Sequence, residues 1–428
     1  MPGAAPAGGE PVRDPRHRWS VCALLFAITT INYMDRQLIG LLKPLLQGRL
    51  GWSEIDYGNI VLAFQAAYAV GLVASGWALD RLGTRRGFSI AAALWSVAAM
   101  AHALTRGVPG FIAARFGLGL GESANFPAAI KVVAEWFPRN ERALATGIFN
   151  AGSTVGALIT PLLVPFIVAT CGWRMAFVLT GALGFVWIAL WLGLHAAWKV
   201  RDRPDAVHAA NASGWRDVLP HRATWAFALA KFLTDPIWWL YLFWLPDFFA
   251  RQFHLDLQSL SLPTAAVYLA AGFGSVAGGA ISSWLIGRGV AVYRARKAAM
   301  LLCALAVTPV WFAPFVTHPW PAVAMIGLAA AAHQGWSANL LTTVSDMFPQ
   351  RMVSSVTGFG SMFGAVGGML VAWGVAHLLQ LSGSYAPVFF VAGGAYLAAL
   401  AVFHALAPGR ARQGLSEAGA VHSTSEHA

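Results

Sequence analysis

The feature that most constrains this chain is a series of apolar runs, each about twenty residues long, the helix length that a hydrocarbon core of roughly 30 Å requires. The runs recur from residue 19 to residue 407 of a 428-residue chain. Inside a bilayer every backbone amide must find its partner within its own segment, so runs of this kind fold as helices. Composition agrees: 57% of residues are hydrophobic and 11% charged, where a soluble domain carries about 25% charged residues. The chain therefore reads as an all-α membrane protein.

Helices are predicted near 19–42, 57–79, 87–105, 109–135, 143–168, 173–197, 224–249, 263–286, 297–316, 320–345, 353–380 and 386–407. The polar stretch 198–223 falls almost midway. It divides the twelve predicted helices into a six-helix bundle at 19–197 and another at 224–407, joined by a cytoplasmic linker. Residues 1–18 and 408–428 read as disordered cytoplasmic ends; both are too polar and too rich in small residues to bury a core.

The net charge of +11 could point to nucleic acid, but Lys and Arg are scattered among the connections. With the N-terminus inside, 20 of them fall on the cytoplasmic side and 4 (Arg49, Arg106, Arg174, Arg251) on the other. That is the positive-inside bias of a multi-pass protein with both termini in the cytoplasm, and the partner it implies is the lipid bilayer. Cys22, Cys171 and Cys303 form no spaced cluster, which speaks against a metal site or disulfide framework. Gly117, Gly119 and Gly121 lie inside a helical run with no strand before them, so they read as close helix packing rather than dinucleotide binding.

The two halves repeat each other. Phe137-Pro138 precedes Thr146-Gly147 and Val155-Gly156; Phe348-Pro349 precedes Thr357-Gly358 and Val366-Gly367, each at an offset of 211 residues. Parallel repeats of this length predict two bundles facing one another, with a site between them near the midplane.

Between the second and third predicted helices runs Gly76-Trp77-Ala78-Leu79-Asp80-Arg81-Leu82-Gly83-Thr84-Arg85-Arg86. Gly76 and Gly83 allow a tight turn, Asp80 places an acid near the helix ends, and Arg81, Arg85 and Arg86 can hold terminal carbonyls and neighbouring acids. A plain basic cytoplasmic loop is the competing reading. The segment resembles the GxxxDRxGxRR loop of the major facilitator superfamily, and the resemblance extends over roughly residues 19–407. Within that superfamily, Asn32 to Arg36 (NYMDR) and Arg115 to Glu122 (RFGLGLGE) look like the anion:cation symporter family. The run Glu122 to Lys131 (ESANFPAAIK) and the run Lys231 to Trp239 (KFLTDPIWW) are similar to its bacterial hexuronate transporters.

Four ionisable residues lie at membrane depth: Asp35 and Arg36 in the first helix, Arg115 and Glu122 in the fourth. Each costs at least about 2.5–3.5 kcal/mol to insert, so each needs a reason. Arg115 and Glu122 are two turns apart and project from one face. One reading is a buried ion-pair network that locks the bundle. The other is coupling: if a substrate carboxylate takes an Arg from its acid, that acid can bind a proton. The resemblance implies that Asp35 and Glu122 carry protons, that Arg115 controls one of them, and that Arg36 binds the substrate carboxylate, a role suited to its planar fork. No cofactor is expected beyond H+ as coupling ion.

Further polar residues interrupt the apolar runs. Tyr33 adjoins the charged pair; Gln65 and Tyr68 share a face of the second helix; Asn150 and Ser153 lie in the fifth. Lys231, Asp235 and Trp239 follow at i+4 spacing in the seventh helix, either as a self-contained ion pair or as hydroxyl contacts with an aromatic platform. In the tenth, His333, Gln334, Trp336, Ser337 and Asn339 supply donors and acceptors suited to a polyhydroxylated acid, although a lone helical His is also a common packing residue. The expectation is an inner-membrane importer, monomeric by family default, that moves a small organic anion with protons. Its expected cargo is a hexuronate such as galacturonate or glucuronate. Other sugar acids (aldonate, aldarate), aromatic carboxylates and a proton-driven drug exporter stand as alternatives. A membrane enzyme or sensor would need a catalytic constellation or a soluble domain, neither of which the sequence displays.

Overall fold

A computed structural model describes residues 17–137, 142–197, 218–348 and 350–407. The segments 1–16, 198–217 and 408–428, which include most of the expected linker and both expected disordered ends, lie outside the described residues.

The described chain is helical throughout. Its N-terminal half comprises α1 (Arg18–Leu50), α2 (Glu54–Ala101), α3 (Val108–Glu122), α4 (Asn125–Trp136), α5 (Arg142–Cys171) and α6 (Trp173–Ala197). The C-terminal half comprises α7 (Arg222–Phe253), α8 (Ser261–Gly287), α9 (Val292–Val307), α10 (Pro319–Met347), α11 (Gln350–Ser382) and α12 (Ala386–Leu406), with a 3-10 stretch over Thr308–Phe315 after α9.

Seven stretches among the described residues are long and apolar enough to cross a membrane: Arg81–Leu104, Ala145–Cys171, Trp173–Ala196, Ser261–Gly287, Val292–Phe315, Ser355–Ser382 and Ala386–Leu406. Helices α1, α7 and α10 fall outside this set and carry most of the singled-out polar residues. Their polarity is kept from lipid by burial: Asp35, Arg36, Lys231 and His333 are all buried. Leu, Phe and Val side chains on α5, α6, α8 and α12 are instead exposed, as lipid-facing surfaces should be.

Two expected boundaries differ. The second and third predicted helices run on as one helical stretch, α2, broken only at Gly83, whose φ of 73° and ψ of 165° suit glycine alone. The loop motif is thus a helix–helix junction. Lys131 Nζ donates to the Leu79 carbonyl at 3.3 Å, and Thr84 donates to Glu135 at 2.9 Å, which pins the junction to α4. Arg85 offers its carbonyl to Trp191 Nε1 at 3.2 Å, and Arg81 and Arg86 are exposed. The side chains at Gly76 and Asp80 lie outside the described residues. The second difference is in the fourth predicted helix, which breaks immediately after Glu122. Ser123 turns its hydroxyl back to the Leu120 carbonyl at 2.7 Å, and α4 restarts at Asn125.

Glycines set the close approaches. A methyl at Gly119 would collide with the Phe64 carbonyl and one at Gly121 would lie 2.6 Å from the Trp95 nitrogen, so the glycine run packs α3 onto both parts of α2. Gly152 and Gly156 do the same for α5 against α1, at Phe26, Thr30 and Tyr33. The halves meet where α1 adjoins α7, α2 adjoins α11 and α5 adjoins α8. The repeated Phe residues play matching parts: Phe137 stacks edge-on to Trp19 at the start of α1, and Phe348 to His221 at the start of α7.

Candidate functional site

Arg36 is the centre of a buried cluster of charged, polar and aromatic side chains. Its Nε donates to Glu122 Oε2 at 2.8 Å, and one terminal nitrogen donates to Asn32 Oδ1 at 3.1 Å, one helical turn back on α1. The guanidinium lies 4.7 Å from the Tyr33 ring centre, 4.8 Å from Tyr68, and 5.4 Å from both Phe64 and Trp239. Four ring faces around one cation contribute electrostatically while excluding water. Trp239 belongs to α7, so this box closes across the boundary between the halves.

Arg115 and Asp35 form a second layer. An Arg115 terminal nitrogen donates to the Arg36 backbone carbonyl at 3.1 Å, and its guanidinium lies 4.6 Å from the Phe64 ring and 5.5 Å from Phe243. Its other nitrogens have no partner among the described residues, nor does Glu122 Oε1. Asp35 is 2% exposed, and neither of its carboxylate oxygens has a hydrogen-bond partner among the described residues. The four charges are therefore engaged unequally: Arg36–Glu122 is a direct pair, Arg115 reaches the Arg36 backbone, and Asp35 makes no ion pair among the described residues.

Around this core the structure gathers further predicted residues. Gln65 is buried one turn before Tyr68, with no hydrogen-bond partner for either amide atom among the described residues, and its Nε2 would lie 3.2 Å from a methyl at Gly368 of α11. Ser153 adjoins the α5 glycines that contact Tyr33, and its hydroxyl returns to the Asn150 carbonyl at 2.6 Å. On α7, Lys231 Nζ and Asp235 Oδ2 pair at 2.6 Å, one turn before Trp239. Gly360, Gly364 and Gly367 of α11 make room for this face of α7: side chains there would strike Phe227, Asp235 and the Phe232 carbonyl.

The α10 residues are placed differently. His333 stacks on Trp238 at 5.3 Å and pairs with the Tyr396 hydroxyl at 2.5 Å, behind the α7 face that carries Trp239. Trp336 is fully buried edge-on to Tyr396. Asn339 Nδ2 donates to the Gly278 carbonyl at 2.8 Å and fastens α10 to α8. Only Gln334 and Ser337 of the five retain partial exposure.

A second charged cluster ties the halves together at the far end of α1. Lys43 pairs with Glu54 at 2.8 Å and with Asp247 at 2.6 Å; Arg251 pairs with Asp247 at 2.8 Å and also with Glu54. The Tyr385 hydroxyl donates to Asp247 at 2.5 Å, and the Glu54 amide donates to Gln380 at 3.2 Å. Beside it the Tyr57 hydroxyl reaches the Phe243 carbonyl at 2.5 Å, and a methyl at Gly40 would lie 2.8 Å from the Leu242 carbonyl. Sequence reading did not find this cluster, and it quoted Asn32 within the NYMDR motif without giving it a role. The i,i+4 spacings Asp247–Arg251 and Asn32–Arg36 were the available signals, but the pairing of Lys43 with α7 is a long-range contact that no spacing reveals.

Several apolar spans around a buried cluster of paired charges define a multi-pass membrane protein with a polar site at the seam of two helical halves. The family model described as Major Facilitator Superfamily matches residues 25–372, and the chain belongs to that superfamily: it is a transporter and not an enzyme. It is 31% identical over 393 residues to the hexuronate transporter of Escherichia coli (strain K12), covering 87% of this chain and 90% of that one. It is 33% identical over 278 residues to the galacturonate transporter of Dickeya chrysanthemi, covering 61% and 80% respectively. Among solved structures, a D-xylose-proton symporter superposes with a TM-score of 0.73 at 16% identity, covering 91% of this chain and 98% of that one, a likeness of fold.

Proposed function

We propose that the protein is a proton-coupled symporter that imports a sugar acid, most simply a hexuronate such as galacturonate or glucuronate, across the bacterial inner membrane. Twelve spans carry it, with both termini in the cytoplasm: α2 counts as two spans divided at Gly83, α3 and α4 as one broken span, and α9 continues through the 3-10 stretch. The 20-to-4 distribution of Lys and Arg supports that orientation. The similarity to hexuronate and galacturonate transporters supports the cargo.

The observation that carries the reading is the Arg36–Glu122 pair inside an aromatic box that spans both halves. Arg36 presents Nε to Glu122 and one terminal nitrogen to Asn32, while its remaining nitrogen donates to no group among the described residues. An arriving carboxylate competes with Glu122 for this fork, and two parallel charge-assisted bonds favour the newcomer. A carboxylate that loses its cation in a dry cavity favours its neutral form, so Glu122 takes a proton as the anion binds. Asp35 is a second proton carrier, and Arg115, two turns from Glu122, tunes both. Tyr33, Tyr68, Gln65 and Ser153 meet hydroxyls from the N-terminal side; Lys231, Asp235 and Trp239 do so from α7. Gln334 lies on the partly exposed face of α10, while His333, Trp336 and Asn339 hold α10 in position behind it. The protein then works by alternating access as a monomer, the two bundles rocking about this site.

Uptake of labelled galacturonate into proteoliposomes under an inward proton gradient tests the reading. Accumulation above the equilibrium level in the native protein and none with Arg36→Ala is the expected result. Equal uptake with and without the gradient would refute coupling, and no uptake of galacturonate, or of labelled glucuronate run in parallel, would refute the cargo.

A further inference from the structure

The Lys231–Asp235 pair stands at one end of a wall that Trp239 completes. Lys231, Asp235 and Trp239 share one face of α7, and from Lys231 to Trp239 the helix rises roughly 12 Å. The Trp239 ring centre lies 5.4 Å from the Arg36 guanidinium across the seam. Arg36 and Lys231 therefore stand toward opposite ends of this face of α7. They differ in one respect. Arg36 pairs at 2.8 Å with an acid on another helix, whereas Lys231 pairs at 2.6 Å with an acid on its own helix. The Lys231 and Asp235 side chains are 9% and 21% exposed, so the acid is the more accessible partner. Helix α11 leaves room for the pair with Gly360 and Gly364, where a side chain would press on Lys231 and strike the Asp235 carboxylate.

We infer that Asp235 sets the charge class of the substrate, admitting sugar acids with one carboxylate and rejecting those with two. This rests on the sugar-acid reading above and adds to it the residue that separates monoanion from dianion. A monoanion held by Arg36 brings hydroxyls to the far end of the wall, where Asp235 accepts and Lys231 donates. A dianion brings a second carboxylate to the same place. It meets the Asp235 oxygens, a like charge in a medium of low dielectric, and finds Lys231 already engaged. Removing the charge of Asp235 while keeping its shape turns Lys231 into a second carboxylate receptor.

The test is isothermal titration of the full-length protein in nanodiscs with galacturonate and with galactarate, the corresponding dicarboxylate. The native protein is expected to bind galacturonate tighter than galactarate by on the order of tenfold or more. Asp235→Asn is expected to strengthen galactarate binding by a similar factor without strengthening galacturonate, and the added change Lys231→Gln to abolish that gain. Native protein that binds both acids alike, or an Asp235→Asn variant that gains no selectivity for galactarate, overturns the inference and leaves the hexuronate reading intact. Native protein that binds neither acid overturns the hexuronate reading, and the inference with it. Should Asp235→Asn fail to fold, the native comparison of the two acids decides alone.

Discussion

Single side chains carry the chemistry proposed for this site, and each has a distinguishable job. Glu122→Gln keeps the shape of the Arg36 partner but not its capacity to gain a proton. Proton-driven accumulation should disappear while exchange of labelled for unlabelled substrate persists; full accumulation by that variant would exclude Glu122 as a carrier. Arg36→Lys keeps the charge but loses the planar fork, which here also serves Asn32 and four aromatic faces. Substrate binding should weaken on the order of 100-fold, about 2–3 kcal/mol, measured by calorimetry. Much of this arrangement was legible beforehand. Charges at membrane depth are costly enough to stand out, and Arg115 and Glu122 share a face by spacing alone. The α10 residues show where such reading stops. His333 and Gln334 are neighbours in the chain, yet one is packed between Trp238 and Tyr396 while the other keeps partial exposure, a difference set by the rotation of α10 rather than by composition.

At the scale of elements, the apolar runs located nearly every helix, because a bilayer dictates their length. It failed at junctions. The predicted loop at 76–86 is helical on both sides of one residue, Gly83, since a single glycine at positive φ suffices to redirect the chain. Gly83→Ala should lower stability by about 1–3 kcal/mol, seen as a drop in apparent Tm in detergent, whereas Gly193→Ala, with open space around it, should leave Tm nearly unchanged. An equal response from the two variants would show that the Gly83 conformation bears no strain in other residues. The break after Glu122 was likewise invisible, because Ser123 and Ala124 are unremarkable residues. The hydroxyl of Ser123 seated under Gly71 of α2 explains why the chain turns there, and that contact joins segments far apart in sequence.

Over the whole molecule, the cluster of Lys43, Glu54, Asp247 and Arg251 clamps one end of the seam, with Tyr57 and Tyr385 as hydroxyl ties. Neutralising both acids together, as Glu54→Gln with Asp247→Asn, should loosen that end. A cysteine introduced at the buried Leu46 in a background without native cysteines should then react with a membrane-impermeant thiol reagent several-fold faster than with the cluster intact. An unchanged rate would mean that the glycine contacts at Gly40 and Gly58 hold the closure by themselves.

The membership of this cluster has a consequence for motion. Lys43 and Glu54 belong to the N-terminal half, Asp247 and Arg251 to the C-terminal half, and each couple is already bonded within its own half. If the seam parts as the proposed alternating access requires, each side departs with one positive and one negative group still joined, so no lone ion is left without a partner. What separates is only the cross-links between couples, and a latch assembled from two such dipoles can release and re-engage many times without either half ever becoming electrically unbalanced.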